Sequence, residues 1–271
     1  MLSFAAICPH PPMIIPTIGR ENLDKAQKTI EAMKKLAEKF AQVKPEVVIV
    51  ISPHGVIFPD AFTLNLVEKY FSDFKAFGDL TTKMEFKSDL QLSHKIKERM
   101  ESGRLPVPLT TISEPNLDYG ASIPLYYLTQ EIARNQSTIP FSVIPLSYSL
   151  LDYKAHFLFG HKIKKEILLT NKRVAVIASA DLSHRLTEEA PAGFNPQGAI
   201  FDKTIVDLIR NKNIDGILEL DPNLIKEAGE CGLRSIIILL GILGGFNYQP
   251  EILSYEGPFG VGYLVANMKI T

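Results

Sequence analysis

Short apolar runs that alternate with longer amphipathic stretches limit the folds open to this chain more than any other feature. Two of these runs, Glu46–Ser52 (EVVIVIS) and Arg173–Ser179 (RVAVIAS), are almost wholly apolar and rich in β-branched side chains. Such strands are typical of a sheet that helices cover on both faces, because a half-exposed strand alternates apolar and polar residues. The pattern therefore predicts an α/β protein.

The same periodicities place the remaining elements along the chain. Strands are predicted at Leu2–Cys8, Glu46–Ser52, Phe62–Val67, Phe141–Leu146, Arg173–Ser179, Tyr248–Tyr255 and Val261–Met268. Helices are predicted at Glu21–Val43, Ser88–Ser102 with Ser88 as its cap, Ala121–Arg134, Asp152–Leu169, Gln197–Asn211, Ile214–Leu220 and Cys231–Leu243. No repeat or linker divides the chain, so we expect a single domain over residues 1–271, with a central mixed β-sheet covered by helices on both faces.

Charge and composition exclude several classes of partner. The 29 Lys and Arg residues against 30 Asp and Glu give a net charge of −1, so no basic excess is present for a nucleic-acid backbone. Two cysteines make no disulfide framework and indicate a reducing compartment. The longest apolar run, Ile236–Leu243, is far shorter than the roughly 20 residues that cross a bilayer. The N-terminus lacks the basic start of a signal peptide, so we expect a cytoplasmic protein without a membrane partner.

The histidines fall into two groups. Three lie within amphipathic helices, where surface or boundary positions are expected: His94, His156 and His161. The other three follow apolar strands directly, in the segments FAAIC-PH (His10), VVIVIS-PH (His54) and VAVIASADLS-H (His184). Ligand crevices of open α/β sheets lie beyond the carboxyl ends of strands, so these three side chains converge if their strands are neighbours. Pro9 and Pro53 stiffen the turns before two of them.

Three such histidines predict a metal site. Imidazole is the commonest metal-binding side chain, and two imidazoles with a carboxylate form the facial triad of non-haem iron(II) oxygenases. Glu230, at the start of the last predicted helix, is the candidate carboxylate, although a helix N-terminus attracts a carboxylate by itself. Glu227 and Cys231 are rival ligands, and a thiolate favours zinc or copper over iron. Asp181 is expected to cap a turn. The residues alone predict a divalent metal at His10, His54 and Glu230 and leave its chemistry open.

Six segments carry a resemblance to a known family: CPHPP, ISPHG, LDYGASIPLYYL, ASADLSHR, EAGECGLRS and SYEGPFGVGYLVA. In this order they resemble the class III extradiol ring-cleavage dioxygenases, catalytic B-subunit family, and are most similar to its branch related to the Memo proteins. The likeness runs over nearly the whole chain. Members of that branch are often found beside a radical-SAM partner, and the family often assembles as dimers or larger oligomers.

The resemblance implies roles for individual residues. The two histidine ligands of the family match His10 and His54, its ligand glutamate matches Glu230, and its acid–base histidine matches His184. It implies an iron(II)-dependent dioxygenase that opens a catechol-type ring with dioxygen, with zinc or another divalent metal as alternatives. A Memo-like site would instead place Cys231 beside the two histidines.

The chain departs from the family pattern at Tyr119, where many members have a histidine that faces substrate and oxygen. Tyrosine still donates a hydrogen bond, and we expect it to steady bound oxygen, but it does not shuttle protons near neutral pH as imidazole does. Two other functions therefore stay open. One is a Memo-like metal-binding protein that acts through a partner in a modification pathway. The other is a metal-dependent hydrolase that uses His184 and a metal-bound water.

Overall fold

The computed structural model describes residues 1–102, 105–133 and 138–271. Its strands are β1 (Leu2–Cys8), β2 (Val47–Ser52), β3 (Phe62–Asn65), β4 (Lys69–Phe74), β5 (Asp79–Ser88), β6 (Leu109–Ile112), β7 (Ser142–Ser147), β8 (Val174–Ser179), β9 (Tyr248–Glu256) and β10 (Tyr263–Ile270). Its helices are α1 (Pro16–Gly19), α2 (Gln27–Val43), α3 (Leu90–Glu101), α4 (Tyr119–Ala133), α5 (Tyr153–Leu169), α6 (Pro196–Arg210), α7 (Ile214–Leu218), α8 (Pro222–Ala228) and α9 (Leu233–Leu243).

All the strands join one mixed sheet, as the sequence predicts. The order along it is β4-β5-β7-β2-β8-β1-β10-β9, and β3 with β6 branches from β7. The strands from β5 to β1 run parallel, whereas β4, β10 and β9 pair in antiparallel fashion with their neighbours. The strands β2, β8 and β1 are therefore adjacent and parallel, and their carboxyl ends meet at one edge.

Helices cover both faces of the sheet, which explains the continuous apolar strands. Alternate residues of β2 point to opposite sides: Val47, Ile49 and Ile51 join one core, and Val48 and Val50 join the other. The first core is closed by α3, α5, α6 and α9, and the second by α2 and α4. Every residue of β2 and β8 is buried, so each of these strands contributes to both cores.

The helix α9 is buried almost throughout and packs closely against α5. A side chain at Gly160 of α5 would overlap the backbone carbonyl of Ile238, and one at Gly241 of α9 would overlap that of Phe157. The two glycines thus allow backbone-to-backbone contact between the helices. Within the described residues, no helix combines the length and the apolar character needed to cross a membrane.

Three strands were not predicted, and the reason is physical. β4 and β5 form an antiparallel hairpin at the sheet margin, where most side chains of β5 face solvent and the apolar signal is weak. β6 is a four-residue partner of β3 with no fully buried side chain. Short and half-exposed strands of this kind leave little trace in an apolar pattern.

Several predicted boundaries also shift. The chain before α2 forms a 3₁₀ segment, Arg20–Ala26, so the expected helix from residue 21 begins at Gln27. Asp89, not Ser88, caps α3 by accepting the amide of Leu92 at 3.1 Å. The predicted helix end at residue 134 lies outside the described residues. A further difference is His156, which is fully buried in α5 rather than at the surface.

Candidate metal centre

Two histidines meet beyond the adjacent carboxyl ends of β1 and β2. His10 comes two residues after β1 and His54 two residues after β2, each behind a proline. Their Nε2 atoms lie 3.0 Å apart, and the rings stand edge to face with centroids separated by 4.8 Å. His10 is 1% exposed, so the meeting point is inside the protein. The two side chains therefore converge in the structure, as the sequence predicts.

The protonation of His10 follows from its neighbours. Ser179, the last residue of β8, donates its hydroxyl hydrogen to the carbonyl of Gly120 at 2.5 Å. His10 Nδ1 lies 2.9 Å from that hydroxyl oxygen and must therefore be the donor in their hydrogen bond. Burial, with His54 and His184 nearby, lowers the pKa of His10 well below its ordinary value. His10 is consequently neutral, and the lone pair on Nε2 points to His54.

His54 is fixed through its backbone and through a stacked tyrosine. Its amide donates to Ser52 Oγ at 3.2 Å, and the Ser52 hydroxyl in turn donates to the carboxylate of Asp118. Tyr119 stacks on the imidazole at 4.3 Å between centroids, with its hydroxyl 2.9 Å from His54 Nε2. Burial, and then His184, lower the pKa of His54 to about 4. The ring is therefore neutral in the physiological range.

Cys231 supplies the third donor atom at this point. Its Sγ lies 3.4 Å from His10 Nε2, and the candidate ligand atoms of His10, His54 and Cys231 all fall within 4.8 Å of one another. The cysteine sits in the turn between α8 and α9. A side chain on the next residue, Gly232, would lie 2.5 Å from Ala180 Cβ and 2.6 Å from the Asp181 carbonyl oxygen. The glycine therefore lets this turn approach the end of β8.

Glu230 takes a different position. Its Oε2 accepts the backbone amide of Leu233 at 2.5 Å, which caps the start of α9. The residue is not part of the cluster of ligand atoms formed by His10, His54 and Cys231. Burial raises the pKa of Glu230, while the Leu233 amide and Arg234 oppose that rise. Glu227, the other rival ligand, accepts from Asn195 at 2.7 Å. A ligand role for Glu230 stays a prediction.

His184 lies close enough to lower the pKa of both His10 and His54. Its Nδ1 donates to the Leu182 carbonyl at 3.1 Å, which leaves the lone pair on Nε2. Burial lowers the pKa of His184 in spite of the carbonyls of Leu182 and Gly229, which favour the protonated ring. The backbone amide of His184 donates to Ala228, so the loop that carries it is tied to the turn that carries Cys231.

Four supporting residues were missed or undervalued in the sequence. Asp181, expected only as a cap, is buried and accepts the His10 amide at 2.8 Å, and burial raises its pKa to about 7. Ser52 and Ser179 hold the two histidines, and Asp118 holds Ser52. A signal for two of them was present, because both buried apolar runs end in serine directly before the loops that carry His54 and His184.

The residues present fit a divalent metal ion. Two imidazole nitrogens and a sulfur are soft or intermediate donors of the type that zinc, copper and iron accept. The 3.0 Å between the two ring nitrogens is short enough for both to bind one ion at metal–nitrogen distances of about 2.1 Å. Ser179 fixes the tautomer of His10 through its other nitrogen, as supporting groups commonly do at metal sites.

Comparison with known proteins shows the family of the chain. A profile for the catalytic LigB subunit of aromatic ring-opening dioxygenase matches residues 4–266, nearly the whole chain. The chain belongs to this family. Members of the family generally use a metal, in keeping with the cluster described above.

Two relatives and one solved structure are similar to the chain. Protein CA_C1420 of Clostridium acetobutylicum is 34% identical over 270 residues, which cover 97% of this chain and 56% of that protein. The chain thus spans little more than half the length of that relative. The 3,4-dihydroxyphenylacetate 2,3-dioxygenase of Escherichia coli is 22% identical over 93% of this chain and 94% of its own length. The crystal structure of the uncharacterized protein JW3007 from Escherichia coli K12 has the same fold, with a TM-score of 0.62, 16% identity and coverage of 98% and 99%.

Proposed function

We propose that the chain is an iron(II)-dependent extradiol dioxygenase that opens the ring of a catechol-type substrate with dioxygen. The observation that carries the proposal is the meeting of two neutral imidazoles, His10 and His54, beside His184, in a chain of the ring-opening dioxygenase family. The named activity of the Escherichia coli relative, 22% identical, supports the same reaction class.

His10 and His54 would hold the metal through Nε2, with Cys231 or, as the family resemblance implies, Glu230 as the third ligand. A bound iron(II) would supply the Lewis acidity that favours the ionised catechol, and a place where both reactants meet. The protein's own part is to keep both imidazoles neutral. Burial does this by lowering the pKa of each ring, which keeps proton competition at the ligand nitrogens low.

The proposed role of His184 is proton transfer. The hydrogen bond from Nδ1 to Leu182 leaves Nε2 as the basic atom, and the lowered pKa keeps that atom unprotonated at neutral pH. His184 can therefore accept a hydroxyl proton from a catechol and return it to the opened product. His184→Gln should keep the metal and lower kcat by about 10² to 10⁴-fold. Loss of metal from this variant would make His184 a ligand, and unchanged turnover would remove it from the reaction.

Tyr119 completes the proposed site as a hydrogen-bond donor. Burial, with Cys231, Asp181 and Asp118 nearby, raises its pKa to about 12, so the hydroxyl keeps its proton. That hydroxyl lies 2.9 Å from His54 Nε2 and is therefore next to any metal bound there. It can donate to an oxygen atom in the site but does not deliver protons as a histidine does.

One observation favours a second function. The three clustered donors are two imidazoles and a thiol, not two imidazoles and a carboxylate. A thiolate suits zinc or copper better than iron, which agrees with a Memo-like metal-binding protein that works through a partner, such as a radical-SAM enzyme, without ring cleavage. The two functions differ in what the iron-loaded protein does when it meets a catechol and oxygen.

The test is oxygen consumption by protein loaded with iron(II) without air and then mixed with 3,4-dihydroxyphenylacetate and other catechols. We expect the iron-loaded protein to consume oxygen and to form an equal amount of a yellow ring-opened product. The zinc-loaded protein should consume no oxygen. The His10→Ala variant is the matched control, because it should lose both metal and uptake. If the iron-loaded protein binds catechols but consumes no oxygen, the dioxygenase proposal is rejected and the partner-dependent function gains.

A further inference from the structure

Arg234 lies three residues after Cys231 of the candidate metal centre and carries a charge that is only partly balanced. It stands in the first turn of α9, three residues after Cys231 and four after Glu230. Its charge opposes the burial-driven rise in the pKa of Glu230, so the two side chains are near each other. Across the described ranges, however, no carboxylate lies within ion-pair distance of the guanidinium, and its buried Nε has no hydrogen-bond partner.

Two tyrosines fix the guanidinium in place. Its central carbon is 5.7 Å from the ring centroid of Tyr148 and 5.4 Å from that of Tyr153. Both tyrosines come from the segment between the end of β7 and the first residue of α5, which faces α9. Cation–π contacts of this kind hold the group without using its N–H donors. The arginine is therefore oriented, but its hydrogen-bonding capacity is left for another molecule.

The surrounding donors belong to the same small region. Burial raises the pKa of Tyr148, and the nearby Cys231 and Glu230 add to that rise, so the tyrosine lies near the turn that carries the thiol. The hydroxyls of Tyr148 and Tyr153 have no hydrogen-bond partner among residues 1–102, 105–133 and 138–271. The guanidinium carries a positive charge and only donates hydrogen bonds, and each phenol can donate one, so a negatively charged acceptor is the group that suits all three together.

We propose that Arg234, braced by Tyr148 and Tyr153, binds a carboxylate of the substrate and so positions its aromatic ring at the metal centre. This inference rests on the proposed function and narrows its substrate class to catechols with an anionic side group. A carboxylate accepts two parallel hydrogen bonds from a guanidinium, which fixes its orientation as well as its distance. Filling a buried, unpartnered N–H also removes a cost that the free protein carries.

The experiment compares ligands that differ only in charge. Binding to the iron-loaded protein is measured without oxygen by calorimetry, with 3,4-dihydroxyphenylacetate, its neutral amide and the cationic dopamine as probes. A second pair, phenylacetate and phenylacetamide, lacks the catechol. In each pair the anion should bind about 10- to 100-fold more tightly than the neutral amide, the range for a hydrogen-bonded charge pair. Dopamine should bind most weakly.

Variants assign the preference to Arg234. In Arg234→Met the anion and the amide should bind within about threefold of each other, whereas Arg234→Lys should keep part of the preference. Arg210→Met is the matched control and should keep all of it, because Arg210 is exposed and pairs with Asp207 on α6. Metal content and circular dichroism of each variant show whether the fold and the centre are intact.

Several results would overturn the inference. The preference for the anion could survive in Arg234→Met. The parent protein could bind the amide or dopamine as tightly as the acid, or could bind none of the probes. Loss of the preference in Arg185→Met instead would assign it to the other arginine with an unpartnered Nε. The parent protein could prefer both anions and yet consume no oxygen with any of the catechols. In that case the proposed function fails while the anion site stands. If the parent protein consumes oxygen with a catechol but shows no preference for the anion, the proposed function stands and the anion site fails.

Discussion

At the scale of single residues, the chemistry of the candidate site depends on which ring nitrogen of each histidine carries the hydrogen. His10 has its Nδ1 hydrogen committed to Ser179, and His184 has its own committed to a backbone carbonyl. Each ring therefore offers Nε2 as a lone pair, one toward His54 and Cys231 and the other as a base. The sequence names these histidines, but their tautomers follow only from the contacts.

The third metal ligand can be decided by substitution. The thiol of Cys231 lies in the cluster with both histidines, whereas the carboxylate of Glu230 caps α9. We expect Cys231→Ser to weaken metal binding by more than tenfold and Glu230→Gln to retain most of the metal, measured by elemental analysis after dialysis. Glu227→Gln is a control outside the cluster. Metal lost from Glu230→Gln and kept by Cys231→Ser would instead support the ligand set that the family resemblance implies.

Tyr119 is the residue at which the site departs most from the family pattern. If its hydroxyl stabilises bound oxygen, removal of one such donor costs about 1 to 3 kcal/mol, so Tyr119→Phe should slow oxygen consumption by up to about a hundredfold. Tyr119→His should speed it, because imidazole delivers protons near neutral pH. Both variants should keep their metal. Rates equal to that of the parent in both would place Tyr119 outside the reaction.

At the scale of elements, the central strands were predictable and the margins were not. β1, β2, β7 and β8 are buried between helices, so their sequences are almost continuously apolar. The hairpin of β4 and β5 depends on pairing with a distant strand, since Lys87 and Ser88 lie beside Ser142 and Val143 of β7. A local sequence pattern does not reveal a contact between residues that are far apart in the chain.

The candidate site also has one part that the sequence predicts and one part that it does not. His10 and His54 follow continuous apolar strands, so their place at the sheet edge could be predicted. The choice between Glu230 and Cys231 could not, because adjacent residues of a turn differ only in the direction of their side chains. That direction depends on how closely Gly232 approaches Ala180 at the end of β8, which is a tertiary contact.

The packing of α5 against α9 gives a prediction at this scale. A methyl group at Gly160 would overlap the backbone carbonyl of Ile238, which has no rotamer with which to move away. Gly160→Ala should therefore lower the free energy of unfolding by about 1 to 3 kcal/mol or more, measured from urea denaturation midpoints. Gly244→Ala is the matched control, because its nearest neighbour would be 3.4 Å away. Equal midpoints for the two variants would contradict the close approach of these helices.

At the scale of the whole molecule, a few buried polar contacts join segments that are distant in sequence. Asp79, at the start of β5, is 3% exposed and accepts the hydroxyl of Thr17 at 2.6 Å. It also accepts the amide and hydroxyl of Thr81 at 2.8 and 2.7 Å. One carboxylate thus holds the marginal hairpin to the segment that follows the His10 loop.

This link makes the stability of the molecule depend on pH in a definite direction. Burial opposes the charge on Asp79, but hydrogen bonds from Thr17, Thr82 and Thr81 outweigh it and hold its pKa well below the usual range. The folded state therefore favours the ionised form. The stabilisation is complete above the unfolded-state pKa of about 3.9 and is lost as the pH falls below it.

Asp79→Asn should lower the free energy of unfolding by about 1 to 3 kcal/mol at pH 7, because an amide accepts these hydrogen bonds more weakly than a carboxylate does. Urea denaturation of the parent and the variant at intervals from pH 7 to pH 3 tests the sign. The gap between the two curves should narrow as the pH falls from about 4 towards 3, since only the parent has a carboxylate at position 79 to protonate. Asp60→Asn, at an exposed position, should follow the parent at every pH. A gap between the parent and Asp79→Asn that stays constant over this range would show that the hydrogen bonds of Asp79 do not depend on its charge.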